Sequence, residues 1–235
     1  MIKLLDLRLE ILTKPKGTAL EMAQGYLALY DKFMKDKFVL DSAYHYLKKS
    51  KDADKVKFNT SVHYYFSAEN YAKIVETSKT ISLAEISDAW TCYRIGEGFY
   101  RNQQFREALP YYEKAVKLKQ YNLDFQEKLA VLYARLSMMD KARENFSFVL
   151  SEDPARPLSL SNLGLIAASK SEYDRANYYY NKALSLDPDY ENALMNKAAL
   201  LISQKKNQEA RKVLEHLLKK YPGNQQAKAA LSNLN

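Results

Sequence analysis

Cysteine is nearly absent: Cys92 is the only one in 235 residues. One thiol excludes an internal disulfide and any CxxC pair for metal or redox work. It leaves the compartment open. Glycine and proline are also scarce, at six each, while apolar residues make up 47%. That balance disfavours a loop-rich or β-rich fold and favours long helices around an adequate core. Long hydrophobic runs are missing too. No stretch approaches the roughly 20 apolar residues a bilayer-spanning helix needs, so membrane insertion is not expected. Nor is there a block of like charge. The net charge of +8 comes from lysines scattered singly beside glutamates, as on solvated helix faces. Nucleic acid is therefore an unexpected partner, since Glu97 and Glu127 lie among the arginines and oppose phosphate.

Catalytic constellations are lacking as well. His45, His63 and His216 are far apart, and none has metal-type spacing to a second ligand. There is no Gly-rich phosphate loop, Ser-centred elbow or HExxH. Paired carboxylates such as Glu152 and Asp153 fall at a helix end, where structural and solvated roles dominate. No enzymatic activity, cofactor or metal is expected.

The opening MIKLLDLRLEIL carries Asp6, Arg8 and Glu10 inside its apolar run, too much charge for a signal peptide to be expected there. It reads as an amphipathic helix, followed by a turn at Lys14 to Gly17. Such an opening suits a segment of a longer protein, so localisation is left unassigned.

What the chain does have is a period. Steps of 34 from Gly96 reach Ala130, Gly164 and Ala198, all small. The same steps link Ala108, Ala142, Ala176 and Ala210, and separately Pro154, Pro188 and Pro222. Three columns at one period mark a stacked repeat protein. In the clearest unit, Pro157 to Tyr190, Leu160, Leu163, Ile166 and Ala167 form one helical face. Tyr173, Ala176, Tyr180, Ala183 and Leu184 form a second, and Pro188 is a stop. Gly164 and Ala176 are expected where the two helices cross most closely. Leu163 and Tyr180 are expected to fill the space between units. Cys92 falls in a core column and is expected to be a buried, inert thiol.

These residues resemble the tetratricopeptide repeat. The family's pattern is met by Leu160, Leu163, Gly164, Ala167, Ala176, Tyr180, Ala183 and Pro188, with Ala167 replacing the usual aromatic. The resemblance implies an all-α, right-handed superhelical solenoid of antiparallel helix pairs, with about five to six repeats and a C-terminal capping helix. Repeats are expected at 89–122, 123–156, 157–190 and 191–224, and a degenerate one at 55–88 on Phe58, Val62, Tyr65, Tyr71, Ile74 and Ile81. Residues 1–54 hold the N-terminal helices and a degenerate pair. Residues 225–235 supply the cap.

By resemblance, the first helix of each repeat lines a concave groove that binds an extended peptide or partner helix. The groove positions here are Asn59, His63, Phe66, Trp90, Tyr93, Arg94, Glu97, Tyr100, Arg101, Glu127, Lys128, Val131, Arg135, Asn162 and Leu165. Residues 90, 93, 94, 97, 100 and 101 form one helical stripe rich in hot-spot residue types. The opposing reading has Trp90 and Tyr93 packing on the neighbouring repeat. Repeats that clamp a chaperone's C-terminal carboxylate carry lysine at the fifth position and asparagine at the ninth, and no unit here has that pair.

The leading expectation is thus a non-catalytic adaptor or scaffold for a protein or peptide. Arg94, Arg101, Lys128 and Arg135 suggest an acidic ligand. The alternatives are a self-assembling module forming homo-oligomers, and the C-terminal segment of a larger protein. For the latter, the tyrosine- and lysine-rich style resembles repeat regions of bacterial multidomain proteins, including multihaem cytochromes. No CxxCH site lies in these residues.

Overall fold

A computed structural model describes residues 17–32 and 35–234. The expected opening helix and most of the turn at Lys14 to Gly17 lie outside the described residues. Everything regular among the described residues is helical. The chain divides into two compact units, Met1–Tyr121 and Asn122–Asn235.

In the first unit α1 (Ala19–Lys32) pairs with α2 (Lys37–Lys49), α3 (Asp54–Ser67) with α4 (Tyr71–Ser78), and α5 (Ala89–Arg101) with α6 (Phe105–Leu118). In the second unit α7 (Leu123–Arg135) pairs with α8 (Met139–Glu152), α9 (Pro157–Ser169) with α10 (Tyr173–Leu186), and α11 (Glu191–Ser203) with α12 (Asn207–Lys220). The short α13 (Gln225–Ser232) packs Ala227, Ala230 and Leu231 against the cluster of Leu194, Ala198, Leu214 and Leu217.

The period is written into the backbone. Glu69, Gln103, Ser137, Ser171 and Lys205 all have φ between 53° and 61°, at 34-residue steps. After each, the next amide bonds back five residues, as Asn70 N to Tyr65 O (2.8 Å) and Glu172 N to Ala167 O (2.9 Å). This is the left-handed closure that satisfies the last carbonyls of a helix. Glycine is the residue favoured there, and none of the five is glycine. N-caps follow the same step: Asp88, Asn122 and Asn224 each accept from the backbone amide three residues on, at 2.7, 3.1 and 2.8 Å. At the far ends, Pro154, Pro188 and Pro222 each stand two residues beyond α8, α10 and α12. A proline ring there blocks another helical turn.

The cores are interhelical. A Cβ at Gly96 would lie 2.9 Å from Cδ1 of Tyr112, and one at Gly164 would lie 2.5 Å from Cε1 of Tyr180. Glycine therefore sits where the paired helix lays a tyrosine ring on the backbone. Tyr180 packs on Gly164 within its own pair and joins Leu200 of α11 in one cluster, so it fills space both within its unit and toward the next. Cys92 is fully buried, and burial pushes its thiol up to about 11.

One element departs from the expected pattern. Ile81 stands in a repeat column of residues 55–88 by its spacing, yet it lies beyond α4, which stops at Ser78. Ser78 and Thr80 turn their hydroxyls back onto the carbonyls of Val75 and Thr77, both at 2.8 Å. Such bonds offer the backbone an alternative to the helix. Ser82 and Glu85 then close a 3₁₀ turn at Leu83–Glu85.

The buried tyrosines set an alkaline limit. Burial pushes the Tyr180 phenol from 10.0 up to about 12, and burial together with the Glu97 carboxylate pushes Tyr112 higher still. A raised folded value stabilises fully below the unfolded value and is lost as pH climbs. Stability is expected to begin to fall from about pH 9, where the buried Cys92 thiol first contributes, and to fall further from 10 to 12 as the tyrosines follow. Tyrosinate absorbance of this pair should appear only together with loss of helical circular dichroism. Full tyrosine ionisation with helicity intact would contradict it.

Candidate functional site

On each unit the first helices of successive pairs carry the candidate residues. In the first unit these are α3 and α5. Asn59 is exposed, and His63 and Phe66 are half-buried. Trp90 is 37% exposed, and its ring meets Tyr93 edge-on at 5.9 Å. Tyr93 in turn meets Phe66 of α3 at 6.4 Å and Tyr112 at 5.8 Å. Tyr93 thus packs against its neighbours, while Trp90 offers more surface. Tyr100 is half-buried against Phe105.

The charged residues of the stripe have roles inside the protein. Glu97 is only 2% exposed and accepts a 2.6 Å hydrogen bond from the Tyr112 hydroxyl. Its carboxylate faces inward, toward Tyr112. Arg101 lies 3.6 Å from Glu97 and over the Tyr71 ring at 5.7 Å. The Arg94 guanidinium lies 5.8 Å from the Trp90 ring centre and 5.9 Å from that of Phe66. Asp31, at the end of α1, is 4.0 Å from Arg94 and 2.7 Å from Nε2 of His63. Burial acts to raise the Asp31 carboxyl, but the His63 hydrogen bond, with Arg94 and Lys35, outweighs it and holds the carboxyl below its ordinary value.

In the second unit Glu127 is also buried, at 8% exposed. Ser159 of α9 donates to it at 2.5 Å and Arg156 at 3.0 Å. Arg156 also bonds Asp124 at 2.7 Å and Asp153 at 3.0 Å, so one guanidinium ties α7 to the loop before α9. Lys128 is half-buried.

The remaining four candidates converge. Val131 and Arg135 of α7 and Asn162 and Leu165 of α9 line one cleft of about 340 Å³, with Ala134, Met139, Ile166 and Ser169. Its floor is mainly apolar, and Leu165 stands 49% exposed. A leucine half in water beside a cleft is surface that gains free energy when covered. Met139, Ala134, Ile166 and Ser169 were not anticipated. The first residue of α8 and the last turn of α9 reach the cleft only because the helix pairs stack. Among the described residues no group of His, Cys, Asp and Glu is arranged to hold a metal ion, and no helix is long and apolar enough to cross a membrane.

Two tetratricopeptide repeat models match the chain, one over residues 93–157 and 139–191, the other over 167–234. The photosystem I assembly protein Ycf3 of Synechococcus sp. (strain CC9605) is 31% identical over 110 residues, covering 43% of this chain and 64% of that protein. The chain thus spans a little under two thirds of that relative's length. Among solved structures, the YrrB structure, described as a TPR protein with an unusual peptide-binding site, superposes with a TM-score of 0.63 at 22% identity, covering 74% of this chain and 91% of that one. The APC/C hetero-tetramer Cut9–Hcn1 gives 0.73 at 18% identity, covering 99% of this chain and 46% of that one. At these identities the two structures establish a shared fold.

Proposed function

The chain belongs to the tetratricopeptide repeat family, and from that premise we propose that it is a non-catalytic scaffold. Its first-helix faces bind a segment of a partner protein. The observation that carries this reading is the convergence of Val131, Arg135, Asn162 and Leu165 on one apolar-floored cleft. A cleft with an exposed leucine, a nearby guanidinium and a carboxamide suits a peptide that places an apolar side chain on the floor. The guanidinium favours an acidic group close by. The name of Ycf3, an assembly protein, fits a scaffold role, and so does the peptide-binding site described for YrrB. The absence of any nucleophile–base arrangement in the sequence supports a binding role over catalysis.

The test begins with peptides selected from a display library on the folded chain. Leu165→Asp is expected to weaken the selected peptides about 30-fold, since the lost apolar contact is worth about 2 kcal/mol. Tyr178→Asp, on an exposed residue of α10 away from the cleft, should leave affinity unchanged. Equal affinities for the wild type and Leu165→Asp would remove the cleft from the binding surface.

A further inference from the structure

On the first unit a carboxylate of the chain itself stands between basic groups of two other first helices. Asp31 lies in the last turn of α1. A negative charge there faces the negative end of the helix dipole and gains nothing from its own helix. Its position is explained by what it touches. Oδ2 is 2.7 Å from Nε2 of His63 on α3 and 4.0 Å from Nη2 of Arg94 on α5. Three first helices of the unit thus meet on one carboxyl group.

The depths of these groups matter. The Asp31 side chain is 46% exposed, against 20% for His63 and 15% for Arg94. The basic groups lie below and the carboxylate lies on top. The Trp90 and Phe66 rings flank the guanidinium at 5.8 and 5.9 Å, so it is held rigidly by aromatic faces. A carboxylate arriving from solvent meets the same seat only after Asp31 swings away.

We propose that Asp31 is a resident competitor, and that the Trp90 face of the first unit is a gated site for a carboxylate-bearing segment of a partner protein. This rests on the reading of the first-helix faces as the binding surface. The exchange is neutral, one carboxylate for another. Lys35, beside Asp31, receives the displaced side chain, and Asp88, the other acidic group facing Arg94, stays in place as the N-cap of α5. An intramolecular competitor lowers apparent affinity in proportion to the fraction of time it occupies the seat. It also screens weakly acidic segments, because only a ligand that gains contacts on Trp90 as well displaces it.

Trp90 is the only tryptophan, so its fluorescence reads this site alone. The probes are N-acetylated tetraglutamate and tetraglutamine peptides at low ionic strength, titrated into the full chain. Asp31→Asn keeps the shape and removes the charge. It is expected to tighten tetraglutamate about 10-fold relative to the wild type, with tetraglutamine unaffected, and adding Arg94→Gln should abolish the gain. Asp41→Asn, which removes an exposed carboxylate of α2, should not reproduce it. Unchanged or weaker tetraglutamate binding in Asp31→Asn overturns the proposal, as does an equal gain in Asp41→Asn. Circular dichroism confirms folding, and Asp31→Ala provides a second variant should the asparagine retain the contacts. The Leu165→Asp experiment reads the second unit separately, so loss of the general groove reading there and loss of the Asp31 gate here give different patterns.

Discussion

Gly164→Val is expected to destabilise the protein by about 3 kcal/mol, read as a shift of the guanidinium unfolding midpoint. A Cβ at this position lies 2.5 Å from Cε1 and 2.7 Å from Cδ1 of Tyr180, well inside van der Waals contact. The ring has nowhere to move: Tyr180 is 1% exposed and clusters with Ala167, Ala176 and Leu200. Valine therefore either spreads α9 from α10 or forces the ring off its rotamer. Helix propensity acts in the opposite direction, since glycine is the weaker helix former by several tenths of a kcal/mol. Gly25 separates the two effects. It lies in α1, and a Cβ there meets nothing within 4 Å. Gly25→Ala should stabilise by about 1 kcal/mol. Combining Gly164→Val with Tyr180→Leu should cost less than the sum of the two single changes. If Gly164→Val is as stable as the wild type, the close approach is not what selects glycine.

Arg156→Ala is expected to cost about 2–4 kcal/mol, because it strips the cation from a buried carboxylate. Glu127 is 8% exposed and has Arg156 at 3.0 Å and Ser159 at 2.5 Å. Asp124 and Asp153 lose their partner in the same step. The instructive comparison is Arg156→Ala with Glu127→Gln added. The amide carries no charge to neutralise, so the double variant should recover more than half of the loss. Arg156 occupies the position equivalent to Asp88 and Asn122 but makes no N-cap bond. A cap deficit alone would be about 1 kcal/mol and would not respond to Glu127→Gln. Urea unfolding of the four species distinguishes the two causes. A loss that persists unchanged in the double variant would show that the carboxylate network is not its source.

Much of the fold is readable along the chain. The small column of Gly96, Ala130, Gly164 and Ala198 and the larger column of Tyr112, Phe146, Tyr180 and Leu214 run at the same step; the two alanines and the four larger residues are each at most 1% exposed, and both glycines are buried. The N-cap step of Asp88, Asn122 and Asn224 was equally open to reading, since a short polar acceptor before a helix is its signature. The left-handed turn residues were not. Glu69, Gln103, Ser137, Ser171 and Lys205 share no side-chain chemistry, and the recurrent conformation comes from the helix closure around them. The short α4 was hidden for a related reason: Ile81 has the right spacing, but serine and threonine hydroxyls end the helix first.

The candidate surface divides along the same line. Helical spacing puts residues 90, 93, 94, 97, 100 and 101 on neighbouring faces of α5, yet it does not say which of them turn inward. Glu97 finds Tyr112, and Arg94 finds Asp31 across two helix boundaries. The sequence by itself determined the all-α repeat class and the small–large packing columns, because the 3.6-residue turn and a 34-residue step are properties of the chain order. Only the tertiary structure decided which charges turn inward and what they meet there. A buried or half-buried charge must be neutralised, and the group that does so comes from another helix, brought near by stacking.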